Sequence, residues 1–249
     1  RIVSVEDADI CTCCGTHPPF TGMLGSVKVI RHEKHKGGCR VEFVCGSRAL
    51  ADADKKNSTL LAVAQGLSVK PEQVPDALAK LKADLLQLCD MGADVLAVPC
   101  NTAHFFIDQF ADELPVPLLH IVDETVKAAK ELSPEKGAWM LSTKGTRACG
   151  LYQKYAEKRG LTLYIPNEEQ SDKSQEVINC VKANQLAKAG AIMKELVEEL
   201  WAERDIPVMT ACTELPLGYD ASGLPQERSV SSIGALADAC VRALYEEVK

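Results

Sequence analysis

The chain has 249 residues, 46% hydrophobic and 25% charged, ordinary for a globular protein with room for one large domain or two modest ones. No uninterrupted apolar run approaches the ~18 residues of a membrane span, and eleven scattered cysteines, an odd number, read as free thiols of a reducing cytoplasm rather than a disulfide framework. The net charge of −7 is uneven: residues 1–80 carry 11 basic against 9 acidic side chains and residues 81–249 carry 17 against 26, and so acidic a body argues against general nucleic-acid binding.

Along the chain, "GSVKVIRHEKHKGGCRVEFVCG" alternates apolar and polar residues about the turn-forming "KGG". This predicts a β-hairpin with Val41 and Phe43 on one face and Arg40 and Glu42 on the other. Helical spacing follows in "SRALADADKKNSTLLAVAQGLSV". The texture changes near residue 80, which divides the chain into an α+β segment, 1–80, and a larger region, 81–249. Helix and strand then alternate: helix to Met91, strand 94–99, helix from Thr102, strand 116–122, helix 123–132 and strand 137–142. They continue as helix 147–160, strand 161–166, one long helix from Gln175 to Arg204, strand 205–211 and a last helix from Ser232. Short apolar strands between amphipathic helices predict an α/β fold with parallel, doubly wound sheets, whose site lies beyond the carboxyl ends of the strands.

Two cysteines stand at such ends. Cys100 follows "DVLAVP" and Cys212 follows "DIPVMTA"; each is followed by hydroxyl or amide residues, "CNTAH" and "CTELP", 112 residues apart. The segments read as one design used twice, as in two pseudo-symmetric lobes. A cysteine at a helix start meets free N–H groups and the positive end of the dipole, which favour thiolate. Two of them facing each other can act on opposite faces of one carbon, one removing a proton and the other returning one from behind. Asn101, Thr102 and Thr213 beside the sulfurs suit a carboxylate and the charge that develops as the proton leaves. Either cysteine alone fits a core position; the matched pair argues for chemistry. His104, one helical turn from Cys100, suits either tuning of its charge or packing, and Glu214 suits a helix start.

"VPCNTAHFF" and "TACTELPL" resemble the paired signatures of the aspartate/glutamate racemase family, whose members work without pyridoxal phosphate. The resemblance runs from residue 82 to the C-terminus and includes "LLHIVDETVKAA", "STKGT" and "GLYQKY". It implies catalytic Cys100 and Cys212, substrate contacts at Asn101, Thr102, Thr143, Lys144, Thr146 and Thr213, an acidic amino acid such as aspartate as small-molecule substrate, no cofactor, and a homodimer. Lys144 matches the lysine that pairs with the substrate's side-chain carboxylate in aspartate-preferring members. The sequence departs from the family in having Ala211 before the second cysteine. It also lacks the opening strand, glycine-rich turn and substrate-binding arginine, so the first lobe reads as truncated and, unless residues 1–50 supply replacement strands, less stable than the second.

Residues 1–75 resemble a different family, the alanyl-tRNA synthetase editing domain and its free-standing relatives, in "CTCCGTHPPFTGMLGSVKVI" and "GGCRVEFVCGSRAL". That resemblance implies zinc ligands at Cys13 and His17, with the companion His-x-x-x-His pair expected upstream of the chain. His32 and His35 have the wrong spacing to replace it, and two ligands do not close a four-coordinate zinc site. Cys11 and Cys14 are further thiols in the same turn. The alternatives to a racemase are therefore a zinc-dependent hydrolase of mischarged tRNA, or an inactive fusion that binds an acidic metabolite.

Overall fold

The computed structural model describes residues 2–5, 9–67 and 69–245. It forms two compact units, Arg1–Ser58 and Thr59–Lys249.

In the first unit, strands β1 (Ile2–Val5) and β2 (Asp9–Thr12) pair antiparallel, as do β3 (Val27–His35) and β4 (Gly38–Cys45). The second pair is the expected hairpin. Its turn residues Lys36 and Gly37 both take positive φ, 43° and 80°, the handedness that matches strand twist. The register sets Phe43 opposite Val29 and Val41 opposite His32, with an irregularity at Ile30. Helix α1 (Ser47–Gly66) begins here, and its Asp52 takes ion pairs from Lys28 at 3.2 Å and Lys56 at 2.8 Å.

The second unit takes in the end of α1 from Thr59 and continues with α2 (Val74–Asp90), β5 (Leu96–Ala97), α3 (His104–Ile107), β6 (Leu118–Leu119) and α4 (Ile121–Leu132). β5 and β6 pair in parallel and form the small sheet of the first lobe, over Leu85, Leu96, Ala103 and Ile107. The second lobe contains β7 (Ala138–Ser142), α5 (Lys144–Ala148), α6 (Leu151–Arg159), β8 (Leu163–Tyr164), α7 (Glu168–Lys182) and α8 (Leu186–Glu203). It is completed by β9 (Val208–Ala211), α9 (Leu215–Ser222), β10 (Ser229–Ser231) and α10 (Ser232–Tyr245). Its sheet runs β10-β9-β7-β8, all parallel. Alternation along β7 explains the double winding: Trp139 and Leu141 enter the core built with α7, α8 and α9, while Ala138 and Met140 enter the core built with α4 and α6. The architecture is the expected two-lobe α/β fold.

Several elements differ from their sequence expectations for local reasons. The helix expected over 147–160 is α5 and α6, divided at Gly150, which is left-handed at φ 69°. The helix expected from Gln175 to Arg204 starts earlier, at Glu168, where Asn167 and Gln170 form a capping box, and it is divided into α7 and α8 near Asn184, at φ 56°. The strand expected over 116–122 stops at Leu119, because His120 caps α4: its ring accepts the Asp123 N–H at 3.3 Å. Helix α9 and strand β10 were not expected. α9 lies close to α8, for a Cβ on Gly190 would come 2.3 Å from the Ala221 carbonyl oxygen. No described helix is long and apolar enough to cross a membrane.

Candidate active site

The loops after β5 and β9 meet the start of α5 at the carboxyl ends of the strands. There Cys100, Asn101, Thr102, Thr143, Thr146, Lys182, Cys212, Thr213 and Glu214 line a cavity of about 70 Å³. Two residues nearly half the chain apart thus line one cavity, Cys100 half-buried and Cys212 6% exposed. A wider groove of about 500 Å³ runs past Lys136 and Pro207, at the opposite ends of β7 and β9, and holds none of the expected site residues.

Seven of the eight expected catalytic and substrate-contact residues line the cavity. Hydroxyl groups bridge the lobes: Thr102 Oγ1 and Thr146 Oγ1 are 3.1 Å apart, and Thr143 Oγ1 donates to Thr146 Oγ1 at 3.0 Å while accepting the Thr146 N–H. Asn101 is 4% exposed and pinned at both ends, its amide donating to Ser232 Oγ at 3.1 Å and its carbonyl accepting from the Tyr152 hydroxyl at 2.6 Å. Tyr152 and Ser232 were missed by sequence reasoning; only the quoted "GLYQKY" marked the first, and nothing marked the second.

Lys144 is the exception. It heads α5 on the surface, 59% exposed by its side chain and paired with Asp172 at 2.6 Å, and does not line the cavity. The lysine that does is Lys182, at the last turn of α7, 3.4 Å from Glu214. Within the long apparent helix its sequence gave no sign of this, because the break that ends α7 at Lys182 was not read.

Cys212 departs from the expectation that a helix start favours thiolate. Burial, and then the thiol's 3.0 Å donation to Glu214 Oε2, push its pKa up to about 12, so it rests as the thiol. Burial also acts to raise Glu214, but hydrogen bonds from Cys212 and Thr213 outweigh it and hold the carboxyl below its ordinary value. Beyond Cys100, the His104 ring is fully buried, with Nδ1 2.8 Å from the Cys100 carbonyl oxygen. Burial and the neighbouring His120 push its pKa down to about 4. The imidazole is neutral at pH 7 and supplies no positive charge to the sulfur, which removes the charge-tuning role considered from the sequence.

In the first unit, Cys13 Sγ accepts the Gly15 N–H at 3.3 Å and His17 is exposed. No group of three or more His, Cys, Asp or Glu side chains among the described residues is placed to hold a metal ion. The expectation of zinc at Cys13 and His17 therefore gains no support.

Comparison with known proteins agrees with this two-part reading. The family model of Asp/Glu/Hydantoin racemase matches residues 49–240, beginning upstream of residue 82, where the sequence resemblance was traced. The chain belongs to the Asp/Glu/hydantoin racemase family. The Threonyl and Alanyl tRNA synthetase second additional domain matches residues 1–42. A broad specificity amino-acid racemase, RacX of Bacillus subtilis, is 34% identical over 124 residues, 50% of this chain and 53% of that protein. The alanine–tRNA ligase of Pyrococcus abyssi is 39% identical over 77 residues, 30% of this chain and 8% of the ligase. The chain thus spans about half the length, or far less, of these curated relatives. The aspartate racemase of Picrophilus torridus superposes with a TM-score of 0.54 over 67% of this chain and 69% of that one, at 24% identity, a likeness of fold.

Proposed function

We propose that this racemase-family chain interconverts the enantiomers of an acidic amino acid, aspartate or a related one, by two-base proton transfer between Cys100 and Cys212 without a cofactor. One observation carries the reading: cysteines at matched strand ends of two lobes line the same small cavity with five amide and hydroxyl residues. In one direction the Cys100 thiolate takes the α-proton, forming S–H as C–H breaks, while the Cys212 thiol gives its proton to the opposite face. The reverse reaction exchanges the roles. Thr102, Thr143, Thr146 and Thr213 offer hydroxyls to the α-carboxylate, and Asn101, held by Tyr152 and Ser232, keeps the loop after Cys100 in place. Lys182 is the cation for the substrate's side-chain carboxylate, because it lines the cavity and Lys144 does not, and its 3.4 Å pairing with Glu214 is looser than the 2.6 Å pairing of Lys144 with Asp172.

In this reading residues 1–80 are an editing-domain-like segment and 81–249 the racemase-like region of a cytoplasmic homodimer. The segment matches 8% of a tRNA ligase, and hydrolysis of mischarged tRNA is the alternative activity to the racemase reading. The test is α-proton exchange of L- and D-aspartate in heavy water. Exchange by the parent and its loss in Cys100→Ser and Cys212→Ser are expected. No exchange with either enantiomer would remove the racemase reading, and exchange surviving both substitutions would remove the assigned bases.

A further inference from the structure

Behind the Cys100 loop lies a buried group that the proposed proton transfer does not use. The backbone of Cys100 is held on both sides, its N–H donating to Val98 O at 2.8 Å and its carbonyl accepting from His104. β5 ends at Ala97, so neither sheet nor helix ladder performs this task at Cys100. A carbonyl only accepts, so Nδ1 of His104 carries the ring proton and Nε2 is left as a bare acceptor. That nitrogen is buried and without a hydrogen-bond partner among the described residues. An orphaned buried acceptor is a cost that an apolar ring of the same size would not carry. Such a ring would also take the donor from the Cys100 carbonyl, so the Nδ1–H is what the histidine supplies that the apolar ring would not.

The ring is itself fixed by a second layer. It meets His120 edge-on, with centroids 4.4 Å apart. His120 accepts the Asp123 N–H at Nδ1, so its Nε2–H donates to Asp108 Oδ1 at 3.0 Å, and its ring stacks on Tyr155 at 4.5 Å. Asp108 also accepts from the Tyr155 hydroxyl at 2.8 Å and Lys154 at 2.7 Å. This array joins α3, the end of β6 and α6, tying the loop of the two-stranded first lobe to a helix of the second.

We propose that His104 is a positioning residue for Cys100, using its Nδ1–H to fix the Cys100 carbonyl and the His120–Asp108–Tyr155 array to fix itself. The proposal rests on the reading of Cys100 as a proton-transfer group. Two substitutions separate positioning from packing. His104→Phe keeps the ring but loses the donor; His104→Asn places an N–H where Nδ1 stands but loses ring volume. Expected for His104→Phe are an unfolding midpoint close to the parent's at pH 8, the relieved Nε2 offsetting the bond lost at the Cys100 carbonyl, with a fall in kcat of about tenfold and KM within about twofold. His104→Asn unfolds earlier yet recovers most of the lost kcat. A parental kcat in His104→Phe, or activity that follows stability across the two variants, overturns the proposal. A second readout needs no turnover: the iodoacetamide alkylation rate of Cys100, followed by peptide mass and referenced to exposed Cys39. A several-fold change in His104→Phe that His104→Asn reverses is expected, and equal rates in all three proteins overturn the proposal. A parent that does not racemise but shows this alkylation pattern loses the functional reading and keeps the positioning one.

Discussion

His104 makes a specific demand on the pH dependence of stability. Its folded pKa of about 4 lies below the ordinary histidine value of 6.5. Between these values the unfolded chain binds a proton that the folded chain refuses, so the contribution is complete above pH 6.5 and is lost as pH falls toward 4. At about 1.36 kcal/mol per pH unit, the loss is about 2 kcal/mol at pH 5 and about 3 kcal/mol at pH 4. For a unit of this size that is a fall in Tm of about 4–8 °C at pH 5. His120 is also held below its ordinary value, first by burial, and is present in both parent and His104→Phe, so their difference isolates His104. The assay is thermal unfolding at pH 8, 6 and 5, followed by fluorescence of the chain's two tryptophans, Trp139 and Trp201, both in the second unit. The parent is expected to lose stability relative to His104→Phe as pH falls. Curves that stay parallel would mean that His104 is protonated in the fold, and the tautomer argued for its bond to Cys100 would fail with it.

Three other outcomes follow from the site and its support. Lys182→Met is expected to raise KM for aspartate about tenfold, equivalent to about 1.4 kcal/mol, with Lys144→Met within twofold of the parent; the reverse order in steady-state assays would return the side-chain contact to Lys144. Glu214→Gln removes the negative acceptor beside Cys212, so the pH midpoint for alkylation of that thiol moves down by about one unit while staying above an ordinary cysteine's, because burial remains; an unmoved midpoint would leave burial as the whole cause. Gly190→Ala forces a Cβ against the Ala221 carbonyl and is expected to cost about 1–3 kcal/mol in urea unfolding, so a parental midpoint would contradict the close α8–α9 contact.

Much of the second unit was legible because its signals are local. Apolar runs such as "AWMLS" must be buried on both sides, and amphipathic stretches between them must cover the sheet, so strand and helix alternation gave the fold class. What escaped depended on single backbone conformations. Gly150 and Asn184 adopt positive φ inside stretches that read as continuous helix, and His120 spends residues assigned to a strand on capping α4. The eight-residue α9 is too short for its period to stand out.

The same distinction holds for the site. The sequence by itself determined which reagents the chain carries, two cysteines with like neighbours at two strand ends, because residue type and local spacing are written in order along the chain. Only the tertiary structure decided how those reagents are held, since distance and burial depend on segments remote in sequence. It brought Ser232 to Asn101 and Thr146 to Thr102, set Lys182 against the cavity and Lys144 on the surface, and buried Cys212 beside Glu214 so that the thiol is the resting form. It also set His104 behind Cys100 as a neutral donor, because burial makes a charged imidazole costly and the adjacent carbonyl can only accept.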